Sequence, residues 1–321
     1  MEAYTDFAEV YDELMDDTPY EEWRDFLMEI FRRHGVDDVS KGENCAGNDQ
    51  NAINDMRVKN ENREEHADSS GKREEKADDM STALEQTGKN LRQERNTVLD
   101  LGCGTGTLTE LLAHKGYDMI GVDNAEEMLR IAMDKRERSG LDILYLLQDM
   151  RELELYGTVG AVVSVCDSLN YLLDEEDIVQ TFARVNNYLY PQGIFIFDFN
   201  TVHKYAAVIG DATIAENRED CSFIWENYYH EGEEINEYDL TVFVAEGTLF
   251  RRFQEVHYQR GYRLEQMKAF LSQAGLEFLE AFDADTHGKV TGESERIYVV
   301  ARKGTATTAN QQVMSETTGI S

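Results

Sequence analysis

The sequence predicts an α/β fold built on a parallel sheet, and three observations predict it. From Asn96 onward, apolar runs alternate with helix-patterned segments: TVLDL, TLTELLAHKG, YDMIGVD, NAEEMLRIAMDKR, DILYLLQDM, GAVVSVCD, EEDIVQTFARVNNYL and IFIFDFN. The strand runs are nearly continuously apolar, as expected of strands covered on both faces by crossover helices. The first strand also runs into glycines at 102, 104 and 106 before a helix pattern begins. Such a turn is tight and its backbone is bare of Cβ atoms.

Residues 1–40 precede this core and read as ordered. Thr18 and Pro19 are placed as the N-cap and first residue of a helix. Trp23, Phe26, Leu27, Ile30 and Phe31 then recur at helical spacing and form one apolar face, with Trp23 read as core. Arg32, Arg33 and His34 followed by Gly35 close that helix. Residues 41–95 change character. They contain no aromatic residue, and their Val, Ile, Leu and Met are only Ile53, Met56, Val58, Met80, Leu84 and Leu91. Such a stretch buries too little apolar surface to offset its ordering entropy, so it is expected to be a disordered polar insertion, with transient helix around 72–95. The tail 303–321 reads the same way. The main domain is therefore expected over 96–302.

After IFIFDFN the alternation breaks. SFIWENYYHEG, EINEYDLTVFVAEG and TLFRRFQEVHYQRG are strand-like with short turns between them, which predicts antiparallel hairpins within an insertion at about 203–260. RLEQMKAFLSQAG is a helix ended by Gly275, and LEFLEAFD and RIYVVARK are two closing strands.

The 321 residues carry 31 Lys and Arg against 64 Asp and Glu, a formal net charge of -33. That charge disfavours electrostatic capture of nucleic acid or an anionic membrane. Cys45, Cys103, Cys166 and Cys221 show no C-x-x-C spacing, so they are neither a zinc framework nor a disulfide scaffold, and free thiols suit a reducing cytoplasm. No apolar run reaches the roughly 18 residues of a transmembrane helix, and the acidic N-terminus lacks the basic region of a signal peptide. No metal-ligand spacing, G-x-S-x-G or phosphate-binding loop is present.

The glycine turn bears the chemistry. A dinucleotide site calls for G-x-G-x-x-G, whereas Gly102-Cys103-Gly104-Thr105-Gly106 has G-x-G-x-G. Asp100 precedes the turn. Its carboxylate would oppose a pyrophosphate but can hold an ammonium group, which points to a zwitterionic amino-acid tail. Asp123 ends the second strand, where an acidic side chain accepts ribose hydroxyls. Gln148-Asp149-Met150 ends the third, where a carboxylate and a backbone N–H suit an adenine. Glu255 and His257, two apart on a strand, share one face, and His257 is a candidate base.

This constellation resembles the class I S-adenosylmethionine-dependent methyltransferases. VLDLGCGTG is similar to their first motif, GVDNAEEML to their second, QDM to their adenine-contact segment and VSVCDSLNYL to their fourth-strand motif. The resemblance implies a Rossmann-like seven-stranded sheet of order 3-2-1-4-5-7-6 and S-adenosyl-L-methionine as cofactor. It implies cofactor contacts at Asp100, Gly102, Cys103, Gly104, Gly106, Asp123, Asn124, Met128, Gln148, Asp149, Met150 and Asp167, and methyl acceptors beside Asp167, Ser168, Asn170, Tyr171, Asp198 and Asn200. A narrower resemblance rests on Tyr4, Phe7, Ala8, Tyr11, Asp12, Leu14 and Met15, Trp23, CDSLNYL, FDFN and Glu255-x-His257-x-Gln259-Arg260. These are similar to a largely uncharacterised bacterial group of small-molecule-type methyltransferases, itself similar to sugar N-methyltransferases in its N-terminal lid and antiparallel insertion. It makes residues 1–40 a lid and puts Tyr4 and Tyr11 over the cofactor. The expected reaction is in-line methyl transfer to a small-molecule nitrogen or oxygen, with Asp167, Asn170, Tyr171 and His257 as candidate catalytic residues. The alternatives are a non-catalytic S-adenosyl-binding module and a same-fold aminopropyltransferase.

Overall fold

Thr97–Leu101 forms β1, buried along its whole length. β2 (Asp118–Asp123) and β4 (Val159–Ser164) pair with it in parallel on either side. β3 (Ile143–Leu147) and β5 (Leu189–Asn200) extend the sheet in parallel. β11 (Arg296–Lys303) runs antiparallel to β5, and β10 (Leu276–Asp283) antiparallel to β11. The order β3-β2-β1-β4-β5-β11-β10 is the expected 3-2-1-4-5-7-6 once the four insertion strands are numbered. This computed structural model describes residue 4, residues 7–36 and residues 94–304. The predicted insertion 41–95 and tail 303–321 lie outside the described residues, apart from 94–95 and 303–304.

Strand periodicity sorts the core into two layers. Leu99 and Leu101 of β1 join the residues of α5 (Glu175–Tyr188) and α6 (Leu264–Gln273) on one face. Val98 joins α2 (Tyr20–His34), α3 (Thr107–Ala113) and α4 (Glu126–Ser139) on the other. On α2 the five spaced residues from Trp23 to Phe31 are all buried. At about 1.5–3 kcal/mol for each large apolar side chain, they contribute on the order of 10 kcal/mol before ordering entropy is counted. Gly35 closes α2 in the left-handed conformation, φ 72°.

Two local expectations are corrected and one helix is added. Thr18 does not cap α2; its hydroxyl donates to Met15 Sδ at 3.8 Å, and Pro19 rather than Thr18 occupies the N-cap. Tyr11, ahead of α2, lies in a further short helix, α1 (Ala8–Leu14), that the sequence pattern did not signal. β5 begins at Leu189, five residues before the apolar run that signals it.

A π-helical turn at Lys204–Ile209 follows β5 and leads into a separate antiparallel sheet. Its strands are β6 (Thr213–Asn217), β7 (Cys221–His230), β8 (Ile235–Glu246) and β9 (Leu249–Arg260). Val10 of α1 packs against Cys221, Leu240 and Val242 of this sheet. The N-terminal segment thus rests on the insertion and spans the carboxyl ends of the parallel strands. Among the described residues no helix is long and apolar enough to cross a membrane.

Candidate active site

A cavity of about 710 Å3 opens at the carboxyl ends of β1, β2 and β3, within the size range of small-ligand sites and at the edge where open α/β sheets bind them. The glycine turn forms its wall. Gly102, Gly104 and Gly106 all have left-handed φ, at 80°, 53° and 74°. At Gly102 a Cβ would stand 2.6 Å from Ser168 Oγ, so the turn packs against the loop after β4 only with glycine there. At Gly104 nothing lies within 4 Å of the same position. That backbone is open to whatever occupies the cavity. Gly106 itself does not line the cavity.

Three carboxylates follow along the edge. Asp100, 2% exposed, accepts from Thr109 Oγ1 at 2.6 Å. Burial pushes its pKa up to about 7, against the pull of that hydroxyl. Asp123 accepts from Gly104 N at 2.8 Å through Oδ2 and from Ala125 N at 2.9 Å through Oδ1. It braces the glycine turn and keeps further lone pairs for a ligand. Asp149 is a different case. Both its oxygens meet the Arg151 guanidinium, at 2.9, 3.1 and 2.6 Å, and Arg151 also reaches Asp177 at 2.8 Å. The Arg151 guanidinium holds the Asp149 carboxyl below the usual range. Cys103, Asn124, Met128, Gln148 and Met150 complete this side of the cavity. Gln148 also folds its amide onto the backbone of Glu154, donating to the carbonyl and accepting from the N–H.

The N-terminal segment forms the roof. Tyr4, Tyr11 and Tyr20 line the cavity. Tyr4 N–H and Phe7 N–H donate to the two oxygens of Glu255 at 2.7 and 3.0 Å, so a buried carboxylate of β9 clamps the chain just ahead of α1. Asp12 ties α1 to the glycine turn, accepting from Thr105 Oγ1 at 2.6 Å and pairing with Lys135 at 2.6 Å. Sequence reasoning missed these braces, because each joins residues far apart in the chain.

At the Tyr171 end the hydroxyls form a chain. Tyr4 Oη and Tyr171 Oη are 2.6 Å apart, Tyr171 Oη and Tyr238 Oη 2.7 Å, and Tyr171 Oη and His257 Nδ1 3.2 Å. His257 stacks on Tyr238, with ring centroids 4.9 Å apart and an interplanar angle of 4°. Its Nε2 lies 3.2 Å from Glu255 Oε2 but out of line for a hydrogen bond. Burial holds the Tyr4, Tyr11 and Tyr171 phenols well above their usual pKa, so they are neutral near pH 7. Tyr171 lines the cavity, whereas His257 stands behind it.

Two other sequence candidates, Asp167 and Asn170, are not among the residues that line the cavity, although Asp167 lies between Cys166 and Ser168, which are. Asp167 is held by Arg296 at 2.8 Å and by Gln259 at 2.5 Å. Its own N–H and that of Cys166 donate to the buried Asp198 carboxylate at 2.7 and 3.0 Å. This anchors two non-glycine residues at left-handed φ, 54° and 65°, a conformation that costs roughly 1–2 kcal/mol per residue. Asn170, fully buried, donates to Asn200 O and Arg260 O at 3.0 and 2.7 Å and accepts from Asn200 N at 2.9 Å. Its amide is a strut between the ends of β5 and β9. Among the described residues no group of three or more His, Cys, Asp or Glu is placed to hold a metal ion.

A cavity at a glycine turn, with carboxylates on successive strand ends, is the ligand edge of a Rossmann-like α/β fold, and the comparisons give its class. The methyltransferase-domain family matches residues 98–193. The chain is 38% identical over 211 residues to YqeM of Bacillus subtilis (strain 168), named as a candidate methyltransferase, covering 65% of this chain and 85% of that one. An S-adenosylmethionine-dependent methyltransferase from Clostridium acetobutylicum ATCC 824 matches 95% of this chain and 100% of its own, at 26% identity and TM-score 0.71. A sugar N-methyltransferase from Streptoalloteichus sp. ATCC 53650 shares the fold over 75% of this chain and 96% of its own, at 20% identity and TM-score 0.54. The chain belongs to the S-adenosylmethionine-dependent methyltransferases and is an enzyme that uses S-adenosyl-L-methionine. The residues present fit that group. The open face at Gly104 admits it, and the buried Asp100 and half-buried Asp123 carboxylates suit its ammonium and hydroxyls.

Proposed function

We propose that the enzyme methylates a nitrogen or oxygen of a small molecule at the Tyr171 end of this cavity. The observation that carries the reading is the roof: Tyr4 and Tyr11 lie over the cavity on a segment that Glu255 of β9 clamps through Tyr4 N–H and Phe7 N–H. Such an enclosure suits a metabolite better than a polymer, and the net charge of -33 opposes a nucleic-acid acceptor.

When bound, the cofactor supplies a sulfonium methyl that carries its own leaving group. The chain's residues bind and orient. Asp100 takes the ammonium end, the 102–106 turn lies along the tail, and Asp123 accepts the ribose hydroxyls. Asn124, Met128, Gln148 and the Asp149–Met150 backbone border the adenine. Tyr4 and Tyr11 exclude water, which makes residues 1–40 a lid in function. The acceptor's N–H or O–H meets Tyr171 Oη in place of the Tyr4 hydroxyl, and as that proton moves to Tyr171 Oη the Tyr171 proton passes to His257 Nδ1. Asp167, Asn170 and Asp198 shape the loop that presents Tyr171.

Incubating the full chain with methyl-labelled S-adenosylmethionine and a cell extract tests this reading. After size filtration, label is expected in the small-molecule fraction. Label confined to protein or RNA would overturn the small-molecule assignment.

The Asp100 carboxyl gives a pH dependence. In the free protein its pKa is raised to about 7, and a bound ammonium favours the ionised form. Below pH 7 the proton must leave on binding, so affinity for S-adenosylhomocysteine is expected to fall by up to about tenfold per pH unit. Above pH 7 the profile is flat. Asp100→Asn should weaken binding and abolish the slope between pH 5.5 and 8; a slope retained in that variant would assign the titration elsewhere.

A further inference from the structure

A second cavity, of about 500 Å3, lies between the start of α2, the turn after β5 and the loop joining β10 to β11. Cys166 lines both cavities, so the two adjoin at the end of β4. Its inner wall carries two cations, Lys204 and Arg296, and one half-buried carboxylate, Glu295. Arg296 is neutralised, pairing with Asp167 at 2.8 Å and lying 3.7 Å from Asp198, and its guanidinium rests over the Trp23 ring. Lys204 is different. Its Nζ donates to Asn200 Oδ1 at 3.0 Å and forms no ion pair among the described residues. Two of its three N–H bonds are left for something else. Lys204 is half-buried, with Asp167, Asp198 and the Glu295 of the same cavity acting on it electrostatically; burial, with Arg296 adjacent, outweighs them and holds it below the ordinary lysine range, so a direct anionic partner on its free N–H bonds would still be favourable. The mouth has the opposite sign, with the exposed Asp17, Glu22 and Asp285 around it. An acidic mouth repels a polyanion but admits a compact molecule with a single anionic group.

We infer that this second cavity is the acceptor subsite, and that it takes a small molecule bearing a carboxylate or phosphate group, which Lys204 holds while the nucleophile points past Cys166. The inference rests on methyl transfer at the first cavity.

The test uses the full chain titrated with inorganic phosphate, acetate and neutral methyl acetate at matched ionic strength. Thermal midpoints are read, and S-adenosylhomocysteine binding is measured on the same samples. Phosphate or acetate should stabilise saturably and methyl acetate should not. A response to phosphate alone assigns a phosphate-bearing acceptor, and one to acetate alone a carboxylate. In Lys204→Met the anion should bind about tenfold or more weaker, the loss of a charge-assisted hydrogen bond, while S-adenosylhomocysteine binding is unchanged. Saturable stabilisation that persists in Lys204→Met, or none by either anion, would overturn the inference. Should Lys204→Met fail to fold, acylation of Lys204 by an amine-reactive reagent decides it in the wild type. Phosphate or acetate should slow that reaction, and an unchanged rate contradicts the proposal. Failure of the wild type to bind S-adenosylhomocysteine counts against the first cavity's reading and is scored separately from the anion response.

Discussion

Asp123→Ala is expected to weaken S-adenosylhomocysteine binding by about a hundredfold or more. The carboxylate is proposed to accept two ribose hydroxyls, and hydrogen bonds to a charged group contribute about 1.5–3 kcal/mol each. A second loss adds to the first. Asp123 also accepts from Gly104 N and Ala125 N, so its removal releases the turn that faces the cavity. Asp123→Asn keeps one acceptor oxygen and the size of the side chain, and is expected to fall between wild type and alanine. Calorimetric titration at pH 8, where Asp100 is ionised, measures all three. An alanine variant that binds as tightly as wild type would remove Asp123 from the cofactor site.

Gly160→Ala should cost about 3 kcal/mol of stability, a fall in Tm of roughly 6–12 °C for a domain of this size. A Cβ at this position would stand 2.0 Å from Arg95 O and 2.6 Å from Arg95 C. Those are backbone atoms leading into β1, which no rotamer change can move. Gly160 lies in β4, between β1 and β5, so any shift is felt by the strand that carries the loop to Tyr171. Replacing glycine with alanine normally stabilises by about 0.4–1 kcal/mol through the unfolded chain, and here the clash outweighs that gain. Gly157 is the control. Nothing lies within 4 Å of its Cβ position, and Gly157→Ala is expected to stay within about 0.5 kcal/mol of wild type. Equal melting temperatures for the two variants would contradict the steric account.

What the sequence made legible was local chemistry. The parallel sheet could be read because each strand is an apolar run of its own, and the cofactor edge because glycines 102, 104 and 106 and the carboxylates 100 and 123 sit at fixed distances from strand ends. What stayed hidden depends on contacts between distant residues. α1 spans only Ala8–Leu14, too short to be stable from propensity alone; Glu255, nearly 250 positions away, clamps the chain ahead of it. Asn170 has the composition and place of an acceptor-orienting residue, and only its three backbone bonds mark it as a strut. Pairing of Asp149 with Arg151 could have been suspected from the two-residue spacing, but the fork geometry could not. The common face of Glu255 and His257 was predictable from period two, whereas the position of His257 behind Tyr171 required the packing of β9 against the loop after β4. Lys204 gave no signal at all, because what distinguishes it is the absence of an ion-pair partner among the described residues.

The cavity beside the glycine turn is assigned to S-adenosyl-L-methionine. Calorimetric titration of the wild-type chain at pH 8 with S-adenosylhomocysteine, and in parallel with NAD, measures that directly. Saturable one-to-one binding of S-adenosylhomocysteine, with none for NAD, is the predicted result. Binding of NAD in its place would contradict the assignment of the cavity.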